Sequence, residues 1–162
     1  MNTVHRFVSV KIGPENPNVD DIVQETLIGA TSSIGALRGE SRAQVAAWLL
    51  SIARHKVADH LRARYRHANE LLQPGVNDSG SDPAHSVDEV VIKRDRAHRV
   101  RQALSRLTPE QEEVLILRFI LGFDISEVAE MTRRPSGAVK SMQRRALARL
   151  QQTLAAEETA WR

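Results

Sequence analysis

Residues 124–150 read "DISEVAEMTRRPSGAVKSMQRRALARL", and two helices with a tight break between them account for the whole stretch. Asp124 opens the first as a cap, with Glu127 three residues on, the spacing of a capping box. Ile125, Val128, Ala129 and Met131 give that short helix its apolar side. "TRRPSG" is the break. In the helix that follows, about 100° per residue puts Val139, Met142, Ala146, Leu147 and Leu150 on one side, where they must pack. Lys140, Ser141, Arg144, Arg145 and Ala148 take the other side. From Arg133 to Leu150 there are six basic residues and no acid. A short capped helix, a tight turn and a basic helix make the helix-turn-helix plan, in which the second helix enters the DNA major groove. A lone basic helix is more often just a solvated face. The capped helix and turn before this one shift the reading towards DNA.

Working outward, the pattern stays helical. "LTPEQ" places Thr108 as a cap, Pro109 at the first helical position and Gln111 at the third, with Val114, Leu115, Leu117 and Ile120 following. Ser86 and Glu89 form a similar box ahead of Val87, Val90, Val91, Ala97, Leu104 and Leu107. Before them "QPGVNDSGSDPAHS" is a linker by composition. Upstream lies a second helical block. Ser41 with Gln44 opens a helix carrying Val45, Trp48, Leu49, Ile52, Ala53, Val57 and Leu61 inward, with a basic second half. Asn18 caps a helix whose stripe runs Val19, Ile22, Val23, Leu27, Ala30, Ile34 and Leu37. Asp20, Asp21, Gln24 and Glu25 form its acidic face, which cannot meet DNA without repulsion. The expectation is an all-α chain. It has two small helical domains, 1–68 and 86–162, joined by a flexible linker at 69–85, with the helix-turn-helix in the second.

Composition narrows the function classes. With 162 residues the chain suits one domain or two small ones. The net charge is +3, so distribution matters more than the total. There is no cysteine, which removes disulfides and thiolate metal sites and suits a reducing compartment. No apolar run reaches the roughly 20 residues of a membrane span, and "MNTVHRFVSVKIG" lacks the long apolar centre of a secretion signal. A cytoplasmic protein without membrane insertion is expected. His55 and His60 are five apart, a poor spacing for shared metal ligation, so no metal and no cofactor are expected. No nucleophile–base pair or Gly-rich phosphate loop argues for an enzyme.

"DDIVQETLIGA", then "AWLLSIARHKVADHLR", then "LSRLTPEQEEVLILRFILGFDISEVAEMTRRPSGAVKSMQRRALARL" together resemble the extracytoplasmic-function (ECF) sigma factors of bacteria. These are the smallest members of the sigma-seventy family. The resemblance covers about residues 18–67 and 100–152, with three motifs in the right order. It implies a protein that binds the RNA polymerase core, through its beta-prime and beta subunits, and directs it to promoter DNA. It implies that Asp20, Asp21, Gln24 and Glu25 dock on the beta-prime clamp. It assigns Arg38, Glu40, Ser41, Arg42, Gln44, Arg54, Lys56, Arg62 and Arg64 to the minus-ten element, with the loop Arg38 to Gln44 holding a flipped base. Arg134, Ser136, Lys140, Ser141, Arg144 and Arg145 would read the minus-thirty-five element. Many members are held by an anti-sigma factor, which adds a further partner class.

The chain also departs from the family. It is short before the acidic motif, where about one more helix is usual, so "MNTVHRFVSVKIG" is expected to supply only part of the first domain's packing. Leu27 replaces the usual aromatic, His55 stands where Asn is frequent, and Met142 and Gln143 differ from the common continuation. No fused domain after residue 162 is expected. Two rivals make distinct predictions. A stand-alone helix-turn-helix regulator binds specific DNA without polymerase, and a helical adaptor has no DNA affinity above background.

Overall fold

Apolar spacing builds the first helix from the segment expected to give only partial packing. The structure, a computed structural model, describes residues 3–71 and 98–160, so the expected box at Ser86 and most of the expected linker lie outside the described residues. Thr3–Ile12 form α1, with Val4, Phe7 and Val8 buried at three- and four-residue intervals. Gly13, at φ 101°, ends the helix, and its N–H donates to the Ser9 carbonyl at 2.9 Å.

The second helix, α2, is Val19–Ser32. Asn18 holds the cap position, but its side chain makes no cap bond; Asn16 Oδ1 instead accepts the Asn18 N–H at 3.0 Å. The buried side is Val19, Ile22, Thr26 and Ala30, which differs from the expected stripe. Thr26 can be buried because its hydroxyl donates to the Ile22 carbonyl at 2.7 Å. Leu27 is 41% exposed and Ile34 60% exposed. The helix stops at Ser32, and Ile34–Ala36 tighten into a 3₁₀ turn that breaks the phase.

Helix α3, Arg42–Leu71, packs against both. A Cβ at Gly29 would stand 3.2 Å from Ile52 Cγ2, so glycine allows the close approach of α2 to α3. Ala43, Leu50, Ala53 and Val57 are buried. Val45, expected inward, is 36% exposed, and Leu50 fills that role.

The described part of the second block opens with helical residues 98–105, here α4. Two of the expected capping boxes are complete here. Thr108 opens α5 (Pro109–Leu115) and Asp124 opens α6 (Ile125–Thr132). The Asp124 carboxylate accepts the Glu127 N–H and the Ser126 hydroxyl, which hold its pKa below the usual range. A carboxylate depressed on folding stabilises above its unfolded pKa and loses that contribution as pH falls through the folded one. Between α5 and α6 the chain widens into a π-helical segment, Ile116–Ile120, which local spacing did not signal. Helix α7 is Ser136–Ala160. Val139 and Ala146 are buried and Met142 and Leu150 half-buried, while Leu147, expected to pack, is 39% exposed.

All secondary structure among the described residues is helical. The two helical blocks do not stand apart. One continuous cluster of buried apolar residues runs from Val4, Phe7 and Leu50 into Val114, Leu117, Phe123 and Val128. Leu104, Leu107, Leu115 and Ala146 form a smaller second cluster.

Candidate nucleic-acid interface

One arginine braces the packed helix-turn-helix. Arg118 Nε donates to Gln143 Oε1 at 3.1 Å, and its terminal nitrogen donates to the Phe123 carbonyl. The turn before α6 is thereby fixed to α7. Arg133, at φ 54°, makes the left-handed turn between α6 and α7. Arg134, Ser136, Lys140, Ser141, Arg144 and Arg145 are all exposed; Arg134 lies in the turn and Ser136 at the start of α7, while Lys140, Ser141, Arg144 and Arg145 share the side of α7 away from buried Val139 and Ala146. The basic surface extends further than the sequence reading took it. Arg106, Arg145 and Arg149 line an open groove of about 610 Å³ with Gln152 and Thr153. The signal for Arg149 was its i+4 spacing from Arg145; Arg106, on another element, gave none.

The loop before α3 depends on Gly39. Its φ is 126°, and Gln44 folds back beneath it to accept the Glu40 N–H at 3.1 Å. Gln44 also donates its own N–H to Ser41 Oγ at 3.0 Å. A Cβ at Gly39 would lie 2.0 Å from Gln44 Oε1 and 2.8 Å from Gln44 Cβ. Gly39→Ala is therefore expected to destabilise the protein by about 1–2 kcal/mol, since an L-residue is strained at this φ and the Gln44 anchor must shift. A urea series should show a lower midpoint at unchanged slope. An unchanged midpoint would mean the loop is not held this way.

The nine residues assigned to the minus-ten element do not form one free face. Ser41 Oγ donates to Glu130 Oε1 at 3.0 Å. Arg42 pairs with Glu127 at 3.1 Å and lies 4.8 Å over the Phe123 ring. Arg54 pairs with Glu113, Lys56 with Glu25 at 3.2 Å, and Arg62 with Asp59 on the same helix. Arg38, Glu40 and Arg64 are exposed, with Tyr65 beside Arg64 at 72% exposure.

The acidic residues Asp20, Asp21 and Glu25, with neutral Gln24, are exposed together on α2. Asp20 stands 3.6 Å from His5 Nε2. Leu27 and the 57%-exposed Ile28 adjoin this face. An acidic face bordered by exposed apolar side chains is suited to a protein partner.

Both helical blocks match known protein families. The family model for Sigma-70 region 2 matches residues 2–67, and that for Sigma-70, region 4 matches residues 97–150. The ECF RNA polymerase sigma factor BldN of Streptomyces coelicolor is 32% identical over 157 residues, covering 94% of this chain and 56% of that protein. SigX of Bacillus subtilis, also an ECF RNA polymerase sigma factor, is 30% identical over 146 residues, covering 89% of this chain and 74% of its own length. The chain therefore spans just over half of one relative and about three quarters of the other. Among solved structures, the sigma factor RpoE of Bartonella quintana, bound to the anti-sigma factor NepR, superposes with a TM-score of 0.58. It is 25% identical, with 94% of this chain and 92% of that one covered.

Proposed function

The chain belongs to the ECF RNA polymerase sigma factors of the sigma-70 family, and from that premise we propose that it tethers core polymerase through α2 and holds promoter DNA at two sites. Asp20, Asp21, Gln24 and Glu25 carry the polymerase contact, with Leu27 and Ile28 adding apolar area. The loop Arg38 to Gln44 and the arginines of α3 take the minus-ten element, where extruding a base costs a few kcal/mol that pocket contacts must offset. The exposed side of α7 takes the minus-thirty-five element. The relatives are sigma factors, a family that is not enzymatic; in this reading catalysis stays with polymerase. The protein acts where polymerase acts, in the cytoplasm, and no helix among the described residues is long and apolar enough to cross a membrane. An anti-sigma factor, the partner bound to RpoE in its solved complex, is a partner class for this chain too.

The observation that carries this reading is the pairing, in one chain, of an exposed acidic α2 face with an exposed cationic α7 face in a helix-turn-helix. Its test is initiation by purified core polymerase on a promoter library, with and without the chain. New, chain-dependent start sites are expected, and identical starts in both reactions would remove the sigma reading. Arg144→Ala adds resolution. If Arg144 reads a base, initiation should fall about tenfold or more on one class of minus-thirty-five sequence, since a bidentate base contact is worth about 1–3 kcal/mol. An equal loss on every promoter would place it on a phosphate instead.

A further inference from the structure

Where α1 meets α4, a groove of about 330 Å³ is lined by apolar side chains and has one cation at its edge. Its wall is made by Val10 of α1, Val100 and Leu104 of α4, and Ile120 at the end of the π-helical segment. Pockets for small molecules span about 300–1,000 Å³ and are mostly apolar with a few placed polar groups. Val100 is 40% exposed, so this apolar wall is open to solvent. A π-helical segment is rare and recurs at functional sites.

Arg101 supplies the cation. Its side chain lines the groove beside Pro14. A Cβ built on Gly13 would stand 3.8 Å from Arg101 Cζ and 3.9 Å from a terminal nitrogen. The guanidinium therefore lies over the turn that ends α1, at the edge of the groove. This is the usual posture of a long cationic side chain, stem on apolar surface and head towards water. Arg101 is half-buried, and its side chain makes no ion pair or hydrogen bond with any described residue. The C-terminal dipole of α1 offsets about half a charge. It leaves the N–H donors of the guanidinium without a carboxylate.

An apolar length that ends in one cationic fork is the complement of an aliphatic chain that ends in one carboxylate. We propose that this groove binds a free aliphatic carboxylic acid in its ionised form. The chain lies along Val10, Val100, Leu104 and Ile120, and the carboxylate meets Arg101, whose planar fork takes it through two parallel hydrogen bonds. An alcohol of the same length fills the wall but leaves the cation unpaired. A small dicarboxylate pairs the cation but leaves the wall wet. The site uses none of the residues assigned to polymerase or to DNA, and it stands independently of the sigma reading.

The probe is the series of sodium salts from hexanoate to dodecanoate, titrated calorimetrically into the whole chain at neutral pH. Each added pair of methylenes should tighten binding by about tenfold, until the groove is full and the gain stops. Decanoate should bind about tenfold or more tightly than 1-decanol, because a hydrogen bond to a charged group is the stronger kind. Arg101→Gln should erase that preference and leave decanol binding unchanged. Arg101→Lys keeps the charge without the fork and should restore part of it. The thermal midpoint of the parent chain should rise with decanoate, as for any ligand that binds only the folded state. Affinity that does not depend on chain length overturns the proposal, as does an acid preference that survives Arg101→Gln. Binding seen only where the acid forms micelles overturns it too. A mass in sedimentation that shows a dimer, and falls to the monomer in Val100→Asp, would give the groove to a second copy and overturn it as well. The chain-length series uses the unsubstituted protein, so it decides the matter even if a variant does not fold. No arm uses polymerase or a promoter, so failure here leaves the initiation assay to judge the sigma reading alone.

Discussion

Asp21→Lys should lower affinity for core RNA polymerase about a hundredfold while leaving the chain folded. Close charge pairs at protein interfaces couple by about 1.5–7 kcal/mol, and a like-charge contact costs several. A loss near 3 kcal/mol is about a hundredfold. Folding should hardly register the change. Asp21 is exposed in the first turn of α2 and makes no ion pair among the described residues. Reversing its charge there forfeits about 0.3–1 kcal/mol of helix-dipole interaction. Glu25 is a poorer first choice, because it lies 3.2 Å from Lys56 and its reversal would also set two cations together. The measurement is binding of labelled chain to purified core, with circular dichroism as the folding check. A folded Asp21→Lys chain that binds core as well as its parent would remove the acidic face from the polymerase contact. The DNA assignments on α7 would be untouched by that result, since they rest on a different helix.

What the sequence disclosed follows the range of the interactions involved. The boxes at Thr108 and Asp124 were legible because cap and partner are three residues apart and need nothing from the rest of the chain. The helix-turn-helix was legible for the same reason, being two short periodic runs around a break. The buried side of α2 was misread at Thr26, where one hydroxyl-to-carbonyl bond lets a polar residue go inside and turns Leu27 out. The docking of the two blocks was not legible at all. Arg54 and Glu113 are 59 residues apart and Ser41 and Glu130 are 89 apart, so only tertiary packing brings them together. The candidate DNA residues were thus identified by type and by helix face, while the state in which the free chain holds them required the fold.

Phe123→Ala tests the least expected part of that fold and should destabilise the second block by about 3–5 kcal/mol. Phe123 lies in "LGFD", which reads as a simple turn between helices, a place where side chains are usually solvated. It is instead 1% exposed and belongs to the main apolar cluster. The turn can bury it because Arg118 satisfies the Phe123 carbonyl while also holding Gln143 of α7. The ring therefore anchors the joint that orients α6 and α7. Truncation removes most of a buried aromatic and leaves a cavity. Loss of the Arg42 contact over its face adds a smaller amount, about 0.5–1 kcal/mol at a partly exposed site. Against a total stability of about 5–15 kcal/mol, this is enough to unfold a sizeable fraction of molecules near the melting temperature. Phe123→Leu keeps much of the volume and should cost less than half as much. Urea unfolding followed by circular dichroism should rank the three proteins in that order. Duplex binding through α7 should fall in the same order, although Phe123 touches no DNA in the proposed arrangement. If Phe123→Ala cost less than about 1 kcal/mol, the helix-turn-helix would have to be positioned by its caps alone, and the burial of that ring would contribute nothing to how α7 is presented.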